Sequence, residues 1–338
     1  MKKLKTYYTG LISSDWSFYP SSPYKGKGWT INFERTPTCE KFRGEIYYDH
    51  KKADIREVTI CACSFNTAQN ALEMINCATL LSTGEPLMFE CGVAIPKDEK
   101  ERSEIFSEDK FGPLPSSTCQ TDGFPVSCKI AARASHQRAY KYALTKFGFA
   151  SRLHSIFRVD IDPSCATEHL GVSPLTSNHV RYAYSIIAAY STIEEIGLEI
   201  RASANNPSMI KGKWNPIVQN DLEQRLKMAG INPKETFPWD LRGKPTRIEK
   251  SKQLPSKGKC SWAKGPYVRD CELAMIDAIN IASFLRSKIS SHKMSEVVSS
   301  LTAYDVENVR MLARRLLLSR LGFWPPFKRG LEMRELLE

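Results

Sequence analysis

The apolar residues of this chain change their spacing partway along, and that change limits the folds open to it. Up to about residue 95 they gather in short runs rich in β-branched and aromatic side chains: Leu4 to Ile12, Trp29 to Glu34, Glu45 to Asp49, Val58 to Phe65 and Leu87 to Ile95. One helix interrupts these strands over Ala68 to Leu81, with Ala71, Met74, Ile75 and Ala78 on one side and Asn66 or Thr67 as its cap. From Ala131 onward the spacing is helical, over Ala131 to Ile156, His179 to Ala204, Pro216 to Met228, Asp270 to Ser287 and Ala303 to Leu321. Gly230 and Pro233 stop the third of these. Two periods call for two cores. The expected architecture is an α+β amino-terminal module followed by an all-α four-helix bundle, with everything past the boundary helix or loop.

The charged stretch from Lys97 to Lys110 and the Pro-, Ser-, Thr- and Gly-rich stretch from Phe111 to Val126 set the boundary between them. Residues 1–126 form the α+β module, 127–174 a connecting helix and linker, 175–325 the bundle and 326–338 a tail. For 338 residues two domains is the ordinary number. No run approaches the roughly 18 apolar residues of a membrane span. The basic start, Met1 to Lys5, leads into Thr6-Tyr7-Tyr8-Thr9-Gly10 and not into the apolar run of a secretory signal. A cytoplasmic protein with no membrane partner is therefore expected. The ten cysteines include no Cys-x-x-Cys pair, which argues against structural zinc and against a disulfide framework. Cys61 and Cys63 read as buried, reduced thiols on one face of a strand. His50, His136, His154, His169 and His179 have no metal-ligand spacing, so no metal or cofactor is implied. Glycine-rich phosphate loops and a serine nucleophile elbow are also missing from the sequence.

The net charge of +11 is unevenly spread. Between Arg242 and Arg269 lie nine basic residues and a single acidic one, Glu249. This basic loop, an insert at about 231–269, is long for a bundle connection, and it reads either as a solvated linker or as a surface for a polyanion such as RNA. On the second reading Arg247, Lys250, Lys252, Lys257 and Lys259 are its RNA contacts.

The stretch Phe284-Leu285-Arg286-Ser287-Lys288-Ile289-Ser290-Ser291-His292-Lys293 sets an Arg and a His five residues apart. They lie at the end of a largely apolar helix and just before the last one, Leu301 to Arg310 and onward, which Thr302 or Ser300 can cap with Asp305 near its positive end. This pattern, in this position, resembles the signature of the HEPN superfamily. A second Arg–His pair, Arg43 and His50, lies on a predicted strand and is set aside. Upstream, Ala188-Ala189-Tyr190-Ser191-Thr192-Ile193-Glu194-Glu195-Ile196 is similar to the acidic patch on the first helix of several HEPN groups, so the resemblance covers roughly residues 175–325. Six positions of unbroken helix turn about 600°. Arg286 and His292 therefore converge only if the helix breaks, and Ser290-Ser291 is the place for it.

What the resemblance implies is a HEPN-like bundle that cleaves RNA without a metal, by attack of the ribose 2′-hydroxyl on the neighbouring phosphorus, in a toxin or abortive-infection effector. His292 is then the acid/base and Arg286 the phosphate clamp. Ser287, where the family often carries Asn, Asp or His, bonds the phosphate or orients His292. Glu194 accompanies them as an acidic site residue, and Lys288 and Lys293 flank the motif as RNA contacts. One His per site leaves acid and base work to be shared, which a homodimer solves by bringing two motifs together. The amino-terminal module is then the sensor of a trigger protein or ligand. The alternative function is a non-catalytic module that binds RNA or a protein.

Overall fold

The computed structural model describes residues 4–14, 22–37, 39, 54–83, 94–105, 118–119, 124–153, 176–242, 245–252, 269–291 and 300–324. The fold is mixed α+β, and its described residues divide into two units, the first running to Thr145 and the second from Lys146 to Trp324. The division falls later than the composition suggests, inside a helix and not in the Pro- and Ser-rich stretch.

The first unit contains strands β1 (Lys5–Ser14), β2 (Tyr24–Gly26), β3 (Trp29–Glu34) and β4 (Asp54–Ala62), helix α1 (Phe65–Thr83), β5 (Ile95–Pro96), α2 (Glu99–Ile105), β6 (Thr118–Cys119), α3 (Phe124–Ser135) and the start of α4 (Arg138–Leu153). The strands run in the order β2-β3-β4-β1-β5, antiparallel throughout, and β6 adds to β1 in parallel. At Thr9 the register of β1 slips by one residue, the Thr9 hydroxyl donates to Val58 O at 3.0 Å, and Gly10 takes φ 146, a conformation closed to most side chains. Tyr7, Ile31, Val58 and Ile60 are buried with α1 and α3, which pack on the sheet and on each other. Ser64 begins α1, accepting from Thr67 N at 3.3 Å, so the cap lies upstream of Asn66 and Thr67. Cys61 and Cys63 are half-buried free thiols, and Cys63 lies past the end of β4. The expected strand at Glu45 to Asp49 lies outside the described residues.

The second unit takes in the end of α4, then α5 (Thr176–Glu195), β7 (Met209–Ile210), β8 (Lys213–Trp214), α6 (Pro216–Met228), β9 (Thr236–Trp239), α7 (Arg247–Lys252), β10 (Cys271–Ala274), α8 (Met275–Ser291) and α9 (Ala303–Leu321). It is not purely helical, because β7–β8 and β9–β10 form two antiparallel pairs. Cys271 to Ala274, expected as helix, pairs with Trp239 to Thr236, and its alternation of buried Cys271 and Leu273 with exposed Glu272 is a strand pattern. α5 ends at Glu195 instead of running to Ala204. Gly197 takes φ 72, with Gly197 N donating to Glu194 O and Leu198 N to Ile193 O, a Schellman stop. α6 and α9 stop the same way at Gly230 and Gly322. α5 packs on α8 and α9 through Tyr182, Ile186, Ala189 and Ile193. No described helix is long and apolar enough to cross a membrane.

Thr302 caps α9 in a reciprocal box. Its hydroxyl accepts from Asp305 N, while Asp305 Oδ2 accepts from Thr302 N at 2.8 Å. Burial pushes the Asp305 carboxyl up to about 6, against the pull of its bonds from Thr302. Thr302→Ala is expected to cost about 1 kcal/mol in urea denaturation. The raised pKa means that the native state keeps a proton the unfolded chain has already lost between about pH 4 and 6, so stability falls as pH rises through that window. Asp305→Asn, which retains the acceptor, should flatten that part of the pH profile. An unchanged slope in the variant would assign it to another group.

Candidate functional site

Glu194 and Glu195 occupy the last turn of α5, where the carbonyl ends of the helix already carry negative charge and an acidic side chain is least favourable. Each finds a cation on a different element. Arg286 Nη2, from α8, lies 3.2 Å from Glu194 Oε1, and Lys146 Nζ, from α4, donates to Glu195 Oε1 at 2.7 Å. Ser191 donates to the other oxygen of Glu194 at 3.1 Å. One turn earlier, the Tyr190 hydroxyl accepts from Ile200 N at 3.2 Å and shares a hydrogen bond with Ser283. Burial raises the Tyr190 phenol above its ordinary value, so it stays neutral and serves as a fixed dipole. The pairs Tyr190–Ser283 and Glu194–Arg286 advance in the same sense along both helices, so α5 and α8 run parallel.

Of the residues singled out in the sequence, this contact unites two, Glu194 and Arg286. Ser287 is the next residue of α8 and is exposed. The Lys288 ammonium lies 5.6 Å from the centre of the Phe284 ring. α8 as described runs to Ser291, and Ser290 Oγ donates to Ser287 O at 3.3 Å. His292 and Lys293 lie outside the described residues, as does the convergence of Arg286 with His292. Tyr190, Ser283, Lys146 and Ser191 were not legible as partners. Lys146 is 49 positions from Glu195, and nothing in local spacing links them.

The basic segment is more structured than a loop. α7 forms within it, started by Thr246, whose hydroxyl accepts from Glu249 N at 3.2 Å. Arg247 and Lys250 are exposed, three positions apart on α7, while Ile248 and Glu249 face inward. The side chain of Lys252, and Lys257 and Lys259 entirely, lie outside the described residues. Two of the nine cations are engaged internally. Arg242 pairs with Asp270, both buried, and stands 5.5 Å over the Tyr304 ring, while Arg269 Nη1 meets Glu249 Oε2 at 2.7 Å. Leu241 N donates to Asp270 Oδ1 at 2.8 Å and Arg269 N to Leu241 O at 2.9 Å, so the segment leaves and re-enters the unit through a closed neck. The charge available to a polyanion is correspondingly less than the sequence count.

No protein family, characterised protein or solved structure matches the chain.

The neck separates structural cations from surface ones. Arg242→Met, which strands the Asp270 carboxylate in the interior, is expected to cost about 3–5 kcal/mol in urea denaturation. Arg247→Ala and Lys250→Ala should each stay within about 0.5 kcal/mol of the parent. Equal, small losses in all three would remove the neck from the account of the fold.

Proposed function

We propose that the second unit is a HEPN-type ribonuclease bundle, built from α5, α6, α8 and α9, that cuts RNA without a metal. The observation that carries the reading is the Glu194–Arg286 contact at 3.2 Å, which joins the acidic patch of the first helix to the arginine of the motif. The parallel course of α5 and α8 supports it, since the first and third helices of an up-down-up-down bundle run the same way. In the proposed reaction Arg286 holds the phosphate, His292 moves the proton of the 2′-hydroxyl or of the leaving oxygen, and Glu194 orients Arg286. Ser287 is exposed beside Arg286 and supplies a hydroxyl to the same phosphate. Arg247 and Lys250, with the lysines around them, draw in the RNA backbone, a contribution that weakens with salt.

On this reading the active species is a cytoplasmic homodimer in which two His292 residues share acid and base roles. Val180 and Tyr184, exposed one turn apart on α5, offer an apolar strip for an isologous contact. The chemistry suits a toxin or abortive-infection effector, with the amino-terminal unit as the sensor that restrains it. The Glu194–Arg286 pair also fits a second reading, a bundle that binds RNA or protein without cutting, because an arginine held by a carboxylate is not free to clamp a phosphate.

Cleavage of single-stranded RNA in EDTA distinguishes the two. The parent protein is expected to leave 2′,3′-cyclic phosphate ends, with rates at least about 100-fold lower in Arg286→Ala and His292→Ala and a smaller loss in Glu194→Gln. RNA that stays intact, or that is cut equally by the variants, selects the binding module.

A further inference from the structure

The strand pair β9–β10 leaves one edge of β9 open, and the parity of its hydrogen bonds shows which groups face outward. Met275 N donates to Glu235 O and Arg269 N to Leu241 O, so the odd-numbered residues from 235 to 241 bond toward β10. The even-numbered residues therefore point away. Asp240 confirms it, since its N–H donates to Asn308 Oδ1 and its carbonyl accepts from Asn308 Nδ2, both at 2.8 Å. The Asn308 amide thus stands where the backbone of a neighbouring strand would. Beyond it the Thr236 N–H and C=O and the Pro238 C=O face outward, and no described residue bonds them.

That edge borders a cleft of about 390 Å³ between β9 and α9, within the roughly 300–1,000 Å³ of ligand sites. Its lining is mostly apolar, with Phe237 and Met311 among the walls. Three carboxylates, Glu235, Asp240 and Glu307, line it against one guanidinium, that of Arg315. Arg315 is held by Glu235, with Nη2 2.8 Å from Oε2, and lies 4.2 Å from the Trp324 ring centre. The indole remains 38% exposed at the end of the cleft. A groove between an open strand edge and a helix is the geometry in which extended peptides add to sheets. Pro238 has no N–H to offer, which blocks indefinite edge-to-edge pairing while leaving the groups a short segment needs.

We propose that this cleft docks a short extended segment of a partner protein, pairing its backbone with Thr236 and Pro238 and placing a lysine or arginine side chain among the three carboxylates. The site lies apart from the Glu194–Arg286 pair in sequence and chemistry, and the proposal does not rest on the ribonuclease reading. The peptide's outward-facing side chains remain unspecified by the cleft, while its basic side chain lays an aliphatic stem along Met311 and Phe237.

Isothermal titration of the full chain with acetyl-Val-Thr-Arg-Thr-Val-amide tests it. Saturable binding is expected, abolished when Arg is replaced by Glu in the peptide. N-methylation of alternate peptide amides should weaken binding about fivefold or more while methylation of the intervening ones leaves it unchanged, a period of two that only edge pairing produces. Thr236→Pro removes the outward N–H without touching the ladder to β10 and should weaken binding by a similar factor, with Thr236→Val retaining it. No binding of the arginine peptide, loss at every methylated position alike, or binding of free arginine as tight as the peptide overturns the proposal.

Discussion

Helix α9 is buried around its circumference although its sequence is not apolar around its circumference, and the second unit is arranged to satisfy that conflict. Asp305, Glu307, Asn308, Arg310 and Arg315 are all buried along with Val306, Val309, Leu312 and Leu316. A buried charge without a partner costs several kcal/mol, so every one of these residues dictates what must stand beside it. Glu307 and Arg310 answer each other within the helix, Nη2 to Oε2 at 2.5 Å. Asn308 and Arg315 reach outward to Asp240 and Glu235, on either side of β9, and so fix that strand against the helix. Asp305 is held by Thr302 and lies in the field of Glu249 and Arg269. The strand pair, the neck of the basic segment and the cleft beside β9 are consequences of burying one polar helix.

α5 supplies the apolar counterpart. Its inward face carries Tyr182, Ile186, Ala189 and Ile193, and its outward end carries two carboxylates against the helix dipole. Nothing in helix stability favours Glu194 and Glu195 there, and the two cations that answer them come from α4 and α8. Local cost offset by distant partners is the pattern in which a site, and not a propensity, has set the residues.

The sequence was most readable where structure is decided within a few residues. The strand Trp29–Glu34 and the helices Pro216–Met228 and Ala303–Leu321 have the expected bounds, because Gly230, Asn215 and Thr302 stop or start them by bonds to their own neighbours. The failures need partners far along the chain. Cys271 to Ala274 forms a strand because Trp239 lies opposite, 32 positions earlier, and the run of apolar residues that follows it disguised the boundary. α5 was read past Gly197 because the apolar spacing of Ile196 and Ile200 continues the helical period, while the φ of 72 at Gly197 ends it. The basic segment was counted as one charge reservoir, since Asp270 and Glu249, which neutralise two of its arginines, cannot be assigned to them by spacing. In the candidate site, Arg286 and Glu194 were both legible singly, and their contact was not.

The two arginine–carboxylate pairs of this unit differ in the one respect that decides what each can do. Arg242 and Asp270 expose 8% and 0% of their side chains, and breaking such a pair strands a charge in a medium that cannot solvate it. Arg286 and Glu194 expose 38% and 33%, and a pair that open to water contributes about 0–1 kcal/mol. A phosphate oxygen accepting a bidentate bond from arginine competes easily with an interaction of that size. The buried pair is therefore fixed by its surroundings, whereas the half-exposed pair holds Arg286 in one place and still gives it up. An arginine oriented by a carboxylate it can release is what a phosphate clamp at the end of α8 requires. The same exposure explains why the motif arginine has no other charged partner to lose when an anion arrives: the exchange of one weak pair for one stronger pair proceeds without unpairing anything buried.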